Sequence, residues 1–292
     1  MTTAQAYIDF KKELQVLYSD READNITDWI FENVTSFKKW ERRGNPHFEL
    51  AEVHVNQLEK YLKELLQHKP VQYVLNEAWF YKMKFFVNEN VLIPRPETEE
   101  LVEWVVMDAK SIRLNNADKK NIRIIDIGTG SGCIPVSLMK ELPGADVTAI
   151  DVSEKALMVA KRNADELNSI IYFLQIDFLN ENEWDSFSQY DIIVSNPPYI
   201  PVKEKSILSK NVSDFEPGMA LFVEDKAPFI FYEKIAAFSK IHLKEKGIIY
   251  VEVHEEYAED VRCIFEKANL HSIIKKDIYG KQRMIKAIKQ SF

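Results

Sequence analysis

The chain has only two cysteines, Cys133 and Cys263, and they lie far apart in sequence. Two such residues supply neither a disulfide framework nor a thiolate metal site, and their scarcity fits a reducing cytoplasm. The histidines His47, His54, His68, His242, His254 and His271 show no ligand spacing, so no bound metal is expected. No apolar run approaches the roughly 18 residues that a membrane span requires. The N-terminal MTTAQAYIDFKKELQ also lacks the continuous apolar core of an export signal. Positive charge is in deficit, with 38 Lys and Arg against 46 Asp and Glu and a formal net charge of -8. That balance argues against a stable nucleic-acid partner, because backbone binding is driven by clustered Lys and Arg. Internal repeats and low-complexity tracts are absent as well.

What is present is an ordinary globular composition, 46% hydrophobic and 12% aromatic over 292 residues. Single cores seldom grow past about 250 residues, so one large domain and a smaller one are expected. Residues 4–67 carry apolar side chains at helical spacing, with Tyr7, Phe10, Leu14 and Leu17 on one face and Leu58, Tyr61, Leu62 and Leu65 on another. This predicts a small helical bundle with Trp29, Phe31, Phe37 and Trp40 in its core. Pro70 should end the last helix, since proline lacks the amide donor and clashes with the preceding turn. The period then changes: AWFYKMKFFV (78–87) is dense in β-forming side chains and predicts a hairpin. The expected organisation is a helical domain over 1–75, a hairpin linker over 76–92 and an α/β domain over 93–292.

In VLIPRPETEE the acids Glu97, Glu99 and Glu100 precede Leu101, Val102, Val105 and Val106, which suits a helix start, and the polar stretch 111–121 reads as a loop. From Ile122 onward apolar runs alternate with amphipathic helices: 122–126, 146–150, 170–176 and 191–195, then 247–253, 271–277 and 284–289. Alternating strands and helices predict a parallel, doubly wound sheet. The last two runs are too close for a helical crossover and should pair antiparallel, giving seven strands.

Chemistry concentrates at the ends of these strands. DIGTGSG (126–132) follows the first strand and precedes a helix, so Gly128, Thr129, Gly130 and Gly132 form a loop where backbone approaches a ligand closely. Its GxGxG spacing differs from the dinucleotide GxGxxG, whose last glycine would fall at Cys133, and is closer to a methyltransferase loop. Asp151, at the end of the second strand, suits two ribose hydroxyls; the same carboxylate also suits a cap for the helix opening at Ser153. Asp177, after the third strand, suits an exocyclic adenine amine, with Phe178 flanking the ring, and equally suits a cap. The three elements share the carboxyl edge of one sheet, where ligands of such folds bind.

The fourth strand runs into NPPY (196–199). Adjacent prolines fix φ and remove backbone donors, leaving nearby carbonyls free to accept hydrogen bonds. The Asn196 side-chain oxygen and the Pro197 carbonyl make an acceptor pair for one NH₂ group, Pro198 stiffens it, and Tyr199 can pack on a flat substituent. Such a pair holds an amide or amine nitrogen with its lone pair toward an incoming methyl group. An amide nitrogen is a poor nucleophile, so acceptors that favour its pyramidal form stabilise the transition state more than the ground state. The bland alternative is a turn that merely ends the strand.

With PVQYV (70–74), VLIPRPETEELVE (91–103), DIGTGSGCI (126–134), SNPPYIP (195–201) and FEP followed by Ala220 and Leu221, the sequence resembles the HemK-type release factor glutamine methyltransferases over nearly its whole length. That resemblance implies a seven-stranded, Rossmann-like class I methyltransferase domain with an N-terminal helical substrate-recognition domain. It implies S-adenosylmethionine as cofactor, S-adenosylhomocysteine as product, and the GGQ glutamine of class I peptide chain release factors as substrate. It puts the glycine loop, Asp151, Asp177, Phe178 and Asn196 at the cofactor, and Asn196, Pro197, Pro198 and Tyr199 at the glutamine. Arg95 and Glu97 would then close over the cofactor or contact the partner, although residues at a helix start also serve as electrostatic caps.

The chain departs from the family pattern at LFVEDKA (221–227), at His254 after VEV, and at IYGKQR (278–283). Cys133 reads as a packing residue rather than a nucleophile. Two other functions compete: an adenine-N6 nucleic-acid methyltransferase using the same NPPY platform on a flipped base, against which the acidic charge weighs, and a cofactor-binding module without catalysis, against which the intact platform weighs.

Overall fold

A computed structural model describes residues 1–114 and 121–290. In chain order its helices are α1 (Thr3–Leu14), α2 (Asp20–Thr35), α3 (Lys39–Gly44), α4 (Glu52–Leu65), α5 (Val71–Leu75), α6 (Pro96–Leu114), α7 (Cys133–Glu141), α8 (Glu154–Glu166), α9 (Lys210–Ser213), α10 (Gly218–Leu221), α11 (Ile230–His242) and α12 (Ala258–Lys267). Its strands are β1 (Glu77–Phe80), β2 (Met83–Phe86), β3 (Arg123–Ile127), β4 (Asp146–Asp151), β5 (Tyr172–Gln175), β6 (Tyr190–Ser195), β7 (Ile200–Pro201), β8 (Phe222–Val223), β9 (Leu243–Glu252), β10 (Leu270–Lys276) and β11 (Gln282–Lys289). These form two compact units, Met1–Glu77 with Ser209–Phe215, and Ala78–Leu208 with Glu216–Phe292.

The first unit is helical. Thr2 and Ser19 cap α1 and α2 by accepting the Gln5 and Glu22 amides. Its core gathers Phe10, Leu14, Ile26, Ile30, Phe31, Leu58 and Leu65. Three expectations fail here. Leu17 is 37% exposed because α1 closes at Leu14, so the helical period stops before reaching it. Trp40 is 70% exposed; on the short α3 the buried position belongs to Arg42, which stacks over the Tyr7 ring and pairs with Asp28. Trp29 is half-buried and donates its indole N–H to Glu77 at 2.6 Å. Pro70 does not end α4, which has already closed at Leu65; it opens α5 instead, where its missing N–H costs nothing.

In the second unit, Tyr81 and Lys82 join β1 to β2 with φ of 48° and 62°, the left-handed pair that a two-residue hairpin turn needs. Helix α6 runs through Leu114 and takes in the start of the stretch read as a loop, because Ile112 still packs on the core; residues 115–120 lie outside the described residues.

Seven strands form one sheet in the order β10-β11-β9-β6-β3-β4-β5. Pairings from β9 through β5 are parallel, and β11 lies antiparallel between β9 and β10. Side chains alternate between faces: Ile124, Val147, Ile192, Val194 and Tyr250 pack under α6 and α7 with the hairpin, while Ile125, Ile150, Ile193, Ile249 and Val251 pack under α11 and α12. The order of strands reverses between β3 and β6, so the loops leaving these two strands diverge and open a crevice at the carboxyl edge.

Candidate active site

The parallel register aligns the strand ends at this crevice. Ile127 pairs with Ser195 and with Ile150, Asp151 with Gln175, and Ser195 with Val251. A side-chain bond reinforces the central pair, with Ser195 Oγ donating to the Ile127 carbonyl at 2.7 Å. The chain leaves β3 through Gly128, Gly130 and Gly132, all at positive φ (75°, 52° and 78°). At Gly132 a side chain is excluded twice, since a Cβ would also lie 3.0 Å from the Ala160 Cβ on α8. A Cβ on Gly128 or Gly130 would meet nothing within 4 Å, so there the glycines leave open space beside the loop.

Asp151 ties this loop to the end of β4. Its Oδ2 accepts the Gly130 amide and its Oδ1 the Ser153 amide, each at 2.9 Å. The cap of α8 is Ser153, whose hydroxyl accepts the Ala156 amide, leaving Asp151 lone pairs for a ligand. Burial pushes the Asp151 carboxyl up, opposed by the amides of Ser153, Gly130 and Val152. Asp177 accepts the Leu179 amide at 3.0 Å through Oδ1, and the following turn is capped by Asn180. Phe178 is buried, with its ring stacked on Trp184.

A cavity of about 380 Å³ sits at this edge, lined by Gly128, Gly130, Asp151, Asp177, Phe178, Asn196, Pro197 and Pro198 together with residues 89–92, Met219 and Phe231. Thr129 and Gly132 belong to the glycine loop but do not line it, nor do Tyr199, Arg95 and Glu97. Tyr199 donates its hydroxyl to Glu252 at 3.0 Å; burial and the Glu252 charge push that hydroxyl up, so it stays a donor at neutral pH. The Arg95 guanidinium pairs with the buried Glu216 of the FEP segment at 2.5 Å, and the other Glu216 oxygen accepts the Ile93 amide at 3.1 Å. Glu97 stands in the first turn of α6. Cys133 is buried at the start of α7, and burial pushes its thiol up to about 12, which leaves it unreactive at neutral pH.

Three acids and a hydroxyl escaped the reading of single residues. Asp126 is fully buried just before the glycine loop, and burial pushes its carboxyl up to about 7, with the Thr129 hydroxyl opposing and the Asp151 charge adding to the shift. Neither carboxylate oxygen of Asp126 closes a hydrogen bond of normal geometry among the described residues. An underused buried acid beside an open glycine loop, and an Asp151 with acceptor capacity left, fit a cationic nucleoside ligand such as S-adenosylmethionine. Glu216 is the second acid. The third, Glu252, ends β9, where its oxygens accept the hydroxyls of Tyr199 and Thr98; Thr98 in turn accepts the Asn196 side-chain N–H at 3.1 Å. The available signal was a lone acid inside the apolar run GIIYVEV, in the strand beside the one that carries NPPY.

No helix is long and apolar enough to cross a membrane, and no cluster of His, Cys, Asp and Glu suited to a metal occurs, among the described residues. Residues 108–213 match the methyltransferase small domain and residues 5–75 the PrmC N-terminal domain. A release factor glutamine methyltransferase of Flavobacterium psychrophilum is 42% identical over 279 residues, covering 95% of each chain. One of Bacteroides thetaiotaomicron is 36% identical, covering 98% of this chain and 99% of its own. Among solved structures, a methyltransferase from Pyrococcus furiosus shares the fold at 16% identity, with a TM-score of 0.50 over 80% of this chain and 100% of that one.

Proposed function

The chain belongs to the release factor glutamine methyltransferase family, and from that premise we propose that it methylates the side-chain N5 of the GGQ glutamine in class I peptide chain release factors, in the cytoplasm. It is an S-adenosylmethionine-dependent protein-glutamine methyltransferase. The observation that carries this reading is a shared cavity: the glycine loop, Asp151 and Asp177 line the same space as the Asn196–Pro197 step.

When bound, S-adenosylmethionine supplies an electrophilic methyl group and leaves as S-adenosylhomocysteine. Asp151 accepts the ribose hydroxyls, Asp177 the adenine amine, and Phe178 flanks the base. Asn196 Oδ1 and the Pro197 carbonyl accept the two N–H groups of the glutamine amide. Drawing both hydrogens to one side favours a pyramidal nitrogen and frees its lone pair for the methyl group, and the methylated nitrogen then gives up one of its two protons to water to leave the neutral N-methyl amide. Pro198, without an N–H, keeps that step of backbone from donating where acceptors are needed. The helical domain over 1–75 recognises the body of the release factor, and the hairpin over 76–92 links it to the methyltransferase domain over 93–292.

Incubation with labelled S-adenosylmethionine and, in separate tubes, release factor, its GGQ-glutamine mutant and DNA tests this. Mass spectrometry should find the label on the GGQ glutamine and nowhere on the mutant or the DNA. Label on adenine instead would favour the nucleic-acid reading.

A further inference from the structure

We propose that Thr98 and Glu252 are positioning residues that decide which end of the Asn196 amide faces the substrate. The inference rests on the reading that Asn196 accepts an N–H of the glutamine amide.

An asparagine amide is a donor at one end and an acceptor at the other, and the two ends are nearly the same size, so packing alone does not orient it. Hydrogen-bond polarity does. Glu252 is 1% exposed and Thr98 is 2% exposed, so neither exchanges its partners for water. The parallel register that pairs Ser195 with Val251 sets the next residues, Asn196 and Glu252, beside each other at the ends of β6 and β9. Thr98 reaches them from the first turn of α6.

A carboxylate only accepts. Glu252 Oε1 takes the Tyr199 hydroxyl at 3.0 Å and Oε2 takes the Thr98 hydroxyl at 2.7 Å. Thr98 has a single hydroxyl proton, and once it is committed to Glu252 its oxygen can only accept from a third group. That group is Asn196, whose Nδ2 lies 3.1 Å from Thr98 Oγ1. The amide nitrogen is therefore fixed toward Thr98, and Oδ1 is the end left over for the substrate. A flipped amide would set two oxygens against each other at Thr98 and present an NH₂ to the substrate's NH₂, donor against donor.

The surroundings keep Glu252 an acceptor. Burial pushes its carboxyl up, and the Thr98 and Tyr199 hydrogen bonds and the Arg283 charge oppose that shift, with Glu97 adding to it. Tyr232 donates to the Glu252 backbone carbonyl at 3.0 Å and anchors the strand end. Tyr199, the last residue of NPPY, thus works behind the cavity, holding the acid that orients Asn196.

The test compares single-turnover methylation of release factor, at saturating S-adenosylmethionine, for full-length wild type, Thr98→Val, Thr98→Ser, Glu252→Gln and Asn196→Ala. Valine keeps the shape of threonine without the hydroxyl, and serine keeps the hydroxyl. Thr98→Val is expected to lose about 10- to 100-fold in rate with cofactor affinity and melting temperature little changed, while Thr98→Ser stays within about threefold of wild type. Glu252→Gln, which can donate to Thr98 and so release the hydroxyl proton toward Asn196, should fall with Thr98→Val and decides the matter alone if that variant does not fold. Either variant within about threefold of wild type, while Asn196→Ala is severely impaired, overturns the positioning role and leaves the Asn196 reading standing. Losses confined to melting temperature or cofactor affinity overturn it too. An active Asn196→Ala overturns the underlying reading itself.

Discussion

Asp151 Oδ2 lies 2.9 Å from the Gly130 amide, which makes the acid at the end of β4 and the glycine loop after β3 one hydrogen-bonded unit. The same carboxylate that would meet the cofactor's ribose also sets the loop that surrounds it. Replacing Asp151 with alanine removes both functions. S-adenosylmethionine binding should weaken by about 1 to 3 kcal/mol, as two hydroxyls lose an ionised acceptor. Calorimetry showing unchanged affinity would remove Asp151 from the site.

Gly132→Ala meets two obstacles, the positive φ of 78° and the Ala160 Cβ at 3.0 Å. The expected loss of stability is about 2 to 4 kcal/mol, read from urea unfolding of the purified protein. A variant as stable as wild type would mean that the loop and α8 shift apart without cost.

Asp126 carries a pH signature. Burial raises its folded carboxyl to about 7, well above an unfolded aspartate at about 4. Between those values the folded state holds a proton that the unfolded state has lost, so stability falls as pH rises through this window and levels off above it. Asp126→Asn should flatten that slope by about one proton, measured as unfolding free energy against pH from about 4 to 8. An unchanged slope would place the folded carboxyl near its ordinary value.

Removal of residues 1–75 should leave S-adenosylmethionine binding nearly intact while methylation of whole release factor drops, since the cavity is lined entirely by later residues. Normal methylation of the intact factor by the truncated enzyme would end the recognition role of the helical domain.

Much of the large domain was legible because its signals are local. Strands betray themselves by short apolar runs between amphipathic helices, and the glycine loop, Asp151, Asp177 and NPPY each sit at the end of one run, so the doubly wound topology carries them to one edge. The short connection between β10 and β11 forced their antiparallel pairing. Partners distant in sequence were not legible. Thr98 and Glu252 are 154 residues apart, and neither belongs to a spacing pattern that would link them. Periodicity assigns a residue to a face but not to a neighbour, which is why Trp40 was expected inside and stands exposed while Arg42 takes the buried place. For the same reason the sequence showed Tyr199 beside the platform but not that its hydroxyl turns to Glu252.

The most direct test of the catalytic platform is the single-turnover rate of Asn196→Ala at saturating cofactor and release factor. The substitution removes the side-chain acceptor and leaves Pro197, Pro198 and the end of β6, so the fold and the cofactor loop should survive with little change in melting temperature. Loss of one preorganised group that positions the reacting nitrogen is expected to slow methyl transfer about 100- to 1,000-fold, roughly 3 to 4 kcal/mol. A rate close to wild type would contradict the platform and leave NPPY as a turn that ends a strand.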